Sequence, residues 1–136
     1  MSDAEAEQEP ATVSYAVGVL VNLTLHENSR SAIVREGAVP SLVRLCGNSK
    51  DVGVISFATQ ALVNLASHEG NRAQLVREGA VRPLMLLCET PNENAVLNNS
   101  AAALANLAGF EGNRSLMVQQ GAVRSLVALC GTAHTR

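Results

Sequence analysis

Three hexapeptides, VREGAV at 34–39, VREGAV at 76–81 and VQQGAV at 118–123, set Gly37, Gly79 and Gly121 at a constant interval of 42 residues. The interval holds wherever it is tested. LVNL, LVNL and LANL begin at Leu20, Leu62 and Leu104. Arg30, Arg72 and Arg114 follow Ser29, Asn71 and Asn113, and RLC, LLC and ALC end at Cys46, Cys88 and Cys130. The alignment needs no gap. A self-similar unit of this length marks a stack of supersecondary units, none of which can bury its apolar face alone.

Three helical segments can be read in one unit. The first, from about Asn71 to Glu78, carries Leu75 and Val76 on one side and stops at Gly79. Asn71 is the expected N-cap, with Gln74 three residues on, and Gly79 the expected left-handed residue past the helix end. The second, Val81 to about Cys88, places Val81, Leu84, Met85, Leu87 and Cys88 on an apolar stripe. Pro40 falls in the first turn of this helix in the preceding copy, where a missing N–H costs nothing. After a polar break, GNSKD or ETPNEN, the longest segment runs from about Val52 to Ser67. Its buried face is Ile55, Ala58, Ala61, Leu62 and Leu65. The fold class is therefore all-α, a superhelix of short, middle and long helices.

The phase places a third helix first (about 12–26), then two full units, then a first and second helix (about 113–131). Each copy reads third, first, second. With no Trp, one Tyr (Tyr15) and two Phe (Phe57, Phe110), the core must be Leu, Val and Ala, which suits close-packed helices. Asp3, Glu5, Glu7 and Glu9 give the first ten residues a charge of −4, leaving ten Lys/Arg against eight Asp/Glu in the rest. Residues 1–11 are expected to be a disordered acidic tail, 12–131 the repeat domain and 132–136 a frayed end. The body is too weakly basic to point to nucleic acid. No apolar run is long enough to enter a membrane, and the start does not resemble a secretory signal.

The stretch ENSRSAIVREGAVPSLVRLCGNSKDVGVISFATQALVNLA and its near copy from Gly70 resemble armadillo repeats. The markers are NR at the first helix, EGAVPSLVRL across the first turn and ALVNLA in the third helix, and they cover roughly Thr12 to Gly131. HEAT repeats are similar in length but lack this glycine turn. The resemblance implies a right-handed α-solenoid of three armadillo-type units, acting as a binding scaffold and not as an enzyme.

No candidate for chemistry outweighs a structural role. Zinc ligands must converge on one ion at about 2.3 Å. Equivalent cysteines in stacked helical layers stand about 8 to 10 Å apart. Cys46, Cys88 and Cys130 are therefore expected as buried, unpaired thiols, which fits a reducing interior, cytoplasmic or nuclear. His26 and His68 share their position with Phe110, so the site does not need an imidazole. No nucleophile set, phosphate loop or metal motif appears, and no catalytic residue or cofactor is expected. Arg30, Arg72 and Arg114 are expected to pair with Glu27, Glu69 and Glu111 at the surface, which is worth at most about 1 kcal/mol each.

Asn22, Asn64 and Asn106 are the best binding candidates. Asn is a mediocre helix residue, yet it recurs inside an apolar segment in all three copies. It either ties off nearby backbone or lines a concave face with amides that clamp the backbone of an extended peptide. The resemblance favours the second role, since armadillo proteins bind ligand backbone with this Asn. Nuclear-import members carry Trp four residues earlier. Here those positions are Gly18, Gln60 and Ala102, so no cation–π shelf for a basic cargo is expected. The groove is expected to be narrow, polar and uncharged, with Ser56, Phe57, Gln60 and Asn64 in one copy and Asn98, Asn99, Ala102 and Asn106 in the next.

The ends carry a second expectation. An inner-type repeat leaves an apolar face uncovered when no cap follows. Val13, Val17, Leu20 and Val21 at one end, and Val123, Leu126, Val127 and Leu129 at the other, are expected to drive self-association. Repeated head to tail, such a contact gives an open filament or a closed ring, and exchange of helices between two chains gives a dimer, the favoured homo-oligomer.

Overall fold

The computed structural model describes residues 10–132. Every regular element among them is helical. Helix α1 spans Ala11–Thr24; α2, α3 and α4 span Arg30–Arg35, Ala38–Asn48 and Val52–Ala66. The pattern repeats in α5 (Arg72–Arg77), α6 (Val81–Glu89) and α7 (Asn94–Ala108), and then in α8 (Glu111–Gln119) and α9 (Ala122–Thr132). The order long, then short–middle–long twice, then a shorter pair is the one the periodicity predicts. The expected disordered tail and frayed end fall largely outside the described residues, although α1 already begins at Ala11 and α9 runs to Thr132.

Two layers share one core. The long helices α1, α4 and α7 pack in series, the middle helices α3, α6 and α9 pack in series, and α3 and α6 lie against α4 and α7. The short helices link the layers along one edge. On α4 the residues Ala58, Ala61, Leu62 and Leu65 are wholly buried, as are Leu75 and Leu84 of the next unit. Each such Leu stabilises the fold by roughly 1.5–3 kcal/mol relative to an exposed one.

The turn between short and middle helices is the same in all three copies. Gly37, Gly79 and Gly121 have φ of 86°, 90° and 93°. At Gly79 the N–H donates to the Val76 carbonyl and the Ala80 N–H to the Leu75 carbonyl, both at 3.1 Å. This paired closure ends α5 before α6 begins. Only a residue without Cβ holds that backbone without strain.

Polar side chains at the start of each short helix act differently from the sequence expectation. Asn71 makes no capping bond to α5. Its Nδ2 instead donates to the Leu65 carbonyl at 3.0 Å and to the Arg30 carbonyl, one unit back, at 3.2 Å. Asn113 repeats both bonds, to Leu107 at 2.9 Å and Arg72 at 3.1 Å. The arginines reach backbone rather than the neighbouring glutamates. Arg30, Arg72 and Arg114 donate from Nε to the carbonyls of Thr24, Ala66 and Ala108 at 2.7, 2.8 and 2.9 Å. These carbonyls lie at the ends of the long helices, where backbone acceptors lack intrahelical partners and a cation is favoured by the helix dipole. Burial of Asn71 and Asn113 makes each amide a fixed link between consecutive units.

Two outcomes are expected in urea denaturation. Gly79→Val should cost more than about 1 kcal/mol, while Gly79→Asn costs much less. No atom lies within 4 Å of an added Cβ there, so the penalty is one of backbone conformation and not of collision. Asn71→Ala should cost about 1–3 kcal/mol, because it strips a donor from two carbonyls, one of them in a buried bond. An unchanged midpoint would show that the link between units carries no stability.

Candidate functional site: the neutral face of the long helices

Helices α1, α4 and α7 contain no Asp, Glu, Lys or Arg. Residues three and seven apart share one face of a helix. Tyr15, Gly18 and Asn22 therefore form one row on α1, Phe57, Gln60 and Asn64 the equivalent row on α4, and Asn99, Ala102 and Asn106 the row on α7. The rows adjoin. A Cβ built on Gly18 would lie 3.8 Å from the Phe57 ring, an ordinary contact distance, so the ring lies against α1 at this point. Tyr15 is 75% exposed and Phe57 41%.

The amides of these rows are partly committed to the fold. Asn64 is 8% exposed; its Nδ2 donates to Thr24 Oγ1 at 3.0 Å and its Oδ1 accepts from Gln60 Nε2 at 3.1 Å. Asn106 donates to the Val63 carbonyl at 3.2 Å, and Asn99 to the Ser56 carbonyl at 3.2 Å. Each thus ties its long helix to the one before it. The Ser56 hydroxyl is half-buried beside its carbonyl, which Thr59 also engages. Asn22 is exposed with no side-chain bond to a described residue. The donor half of Asn64, Asn99 and Asn106 points into the stack, whereas no described donor bonds the acceptor half of Asn99 or Asn106. Sequence reasoning found the row but not this division, which depends on atoms about one unit apart in the chain.

At the ends, the structure redistributes the expected residues. Val17 is buried, and Val13, Leu20, Leu126 and Leu129 are partly buried against the core. Val123 and Val127 on α9 are exposed, and so are Tyr15, Val19 and Leu23 on α1 and Leu116 and Val118 on α8, which were not among the expected residues. Helix α1 is apolar on two sides. Helix α4 takes the side bearing Val17, so the opposite side is the open one.

The cysteines are free, and their settings differ. Burial pushes the Cys46 thiol up to about 12, and burial together with the Glu89 charge pushes Cys88 up to about 11. Both stay protonated at neutral pH, which removes the reactive thiolate. Cys130 departs from the expectation of burial. Its counterpart Cys88 is covered where α6 packs on α7, whereas no described helix lies over that side of α9. A thiol reagent at neutral pH should therefore label Cys130 in the native protein, with Cys46 and Cys88 reacting only in denaturant. Mass spectrometry of the modified chain reads this directly.

Among the described residues, no group of His, Cys, Asp and Glu could hold a metal, and no helix is long and apolar enough to cross a membrane. None of the curated proteins matches the chain. Among solved structures it is similar to an engineered protein, with a TM-score of 0.81 and 27% identity. That likeness covers 95% of this chain and 56% of the engineered protein, so the chain spans little more than half its length. The family described as Armadillo/beta-catenin-like repeat matches residues 26–67 and 68–109, two consecutive units that each run from the short helix to the end of the long one. With two units matched in series, the glycine turns between their helices and the long helices packed in one layer, this chain belongs to the armadillo-repeat family.

Proposed function

We propose that the chain is a protein-interaction scaffold that holds an extended, uncharged peptide segment along the face of its long helices. One observation carries this reading. Two aromatic residues, Tyr15 and Phe57, stand exposed at equivalent positions, in rows with no charged residue, next to the Asn22 and Asn99 amides. Aromatic surface supplies contact area, and amide oxygens accept from ligand backbone N–H groups regardless of ligand sequence. A neutral face favours a neutral segment, since an unpaired charge there would lose hydration without gaining a partner. Asn22, Asn99 and Asn106 are the assigned backbone contacts, with Phe57, Gln60 and Ser56 lining the strip. Asn64 acts mainly through Gln60 and Thr24, to which it is bonded. A reducing intracellular compartment, cytoplasmic or nuclear, keeps the three thiols free.

A separate observation favours a second role. Apolar residues stand open at both ends of the stack, as expected of a module that joins copies of itself.

Peptides selected on the native protein from a random library of extended segments test the first role. Phe57→Ala and Asn106→Ala should each weaken the selected peptides, the second by about threefold to tenfold for one lost hydrogen bond. Circular dichroism should show the helical content retained. Selected peptides that bind both variants as tightly as the native chain would place the binding face elsewhere.

A further inference from the structure

The repeat permits a comparison that a single-copy fold does not allow. Each open residue at an end has a counterpart 42 residues away, inside the stack. Leu23 is 51% exposed and its counterpart Leu65 is 0%. Val19 is likewise open where Ala61 is buried. At the other end Val127 is 64% exposed against 5% for Met85, and Val118 and Val123 are open where Val76 and Val81 are buried. What covers the counterparts is known. Leu65 and Ala61 lie on α4, which is walled by α2 and α3 of its own unit and by α1. Met85 and Val81 lie on α6, which packs against α7 and α9.

The open side of α1 therefore matches a short and middle helix, with a long helix beside them. The open side of α8 and α9 matches a long helix followed by another short–middle pair. A second copy of this chain supplies both. We propose that copies join head to tail, α8 and α9 of one copy completing an armadillo unit with α1 of the next. This rests on the end-association reading and fixes its geometry as heterologous, in place of a two-fold dimer.

Two features set the register. The first is shape. Beside Gly37 lies an open apolar hollow of about 570 Å³, lined by Leu20, Leu23, Ala32, Ile33 and Ala38. At the other end Met117, Val118, Val123 and Leu126 line a smaller hollow of about 140 Å³. The second is the partnerless amide. Asn106 donates to the Val63 carbonyl of the preceding long helix. In the joint, α1 follows α7 of the other copy, and Asn22 meets the equivalent carbonyl, that of Ala105.

The contact between copies thus continues an interface already present inside each chain. A heterologous joint of this kind propagates as an open filament or closes as a ring.

The test uses the 136-residue chain in sedimentation across a dilution series. The native protein should gain mass with concentration. Leu23→Glu blocks one end and Val127→Glu the other; both side chains are exposed, and circular dichroism checks that the fold is kept. Each variant alone should stay monomeric, and an equimolar mixture should form a one-to-one pair and nothing larger, since each retains the end that the other lacks. Asn22→Ala should weaken native association by about threefold to tenfold. If one variant still dimerises alone while the other does not, the contact joins like ends, and head-to-tail joining is overturned with end association intact. A native chain that stays monomeric throughout the series removes end association itself.

Discussion

A long helix without a charged residue cannot be left to water on all sides, and the architecture follows from that. On α4 the apolar residues cover most of the circumference, so α4 needs α1 on one flank, α7 on the other and α3 beneath. Ridge-to-groove packing of such helices favours Ala and Leu, which bring the axes close while leaving little void. Only the side carrying Phe57 and Gln60 is not walled by a neighbour, and Asn64 lies at its buried edge. The neutral strip is thus the remainder left by the packing requirement of the core. Its lack of charge follows from the same sequence choice that makes the helix buriable.

Packing apolar helices side by side leaves a polar problem at their termini. The last carbonyls of a long helix have no intrahelical donor, and burying them unpaired would cost about 1–3 kcal/mol each. The arginine six residues on and the asparagine of the next short helix supply those donors from outside the helix. Because Asn71 also bonds the Arg30 carbonyl, one side chain closes a helix end and fastens the unit boundary. Ser29 stands at this position in the first copy, and its Oγ is engaged with His26 Nδ1 instead. No described short helix precedes it for an asparagine to reach.

Much of this was legible in the sequence, and the illegible part has a consistent cause. The glycine turns, the helix phases and the rows of the long helices follow from periodicity, which is local information repeated. Asn71 does occupy the N-cap position of α5, but its expected capping bond is missing because a capping box is judged along the chain, whereas its bonds run to carbonyls 6 and 41 residues away. The Arg30 series was misread for the same reason, as the nearest acid in sequence was not the nearest acceptor in space. On α1, periodicity offers two apolar sides, Val13–Val17–Leu20 and Val19–Leu23, and cannot rank them. The repeat could have ranked them: the counterpart of Leu23 is Leu65, a residue that the sequence had already placed in the core.

The joint between copies would differ from an internal boundary in strength. It regains the amide link of Asn22 and the burial of Val19, Leu23, Val123 and Val127, but not the link of the Asn71 kind, because Ser29 occupies that position. The Arg114 carbonyl then has no counterpart amide from the next copy, and no peptide bond connects the two sides. Both differences favour a reversible joint over a permanent one. The same register carries the neutral rows across it, with Asn99–Ala102–Asn106 of one copy beside Tyr15–Gly18–Asn22 of the next. An extended ligand bound on that strip could span two copies and would hold them together by the effective concentration it creates. In that arrangement the Asn22 amide takes the place that Asn106 already has, its donor turned inward to the preceding helix and its acceptor outward to the ligand.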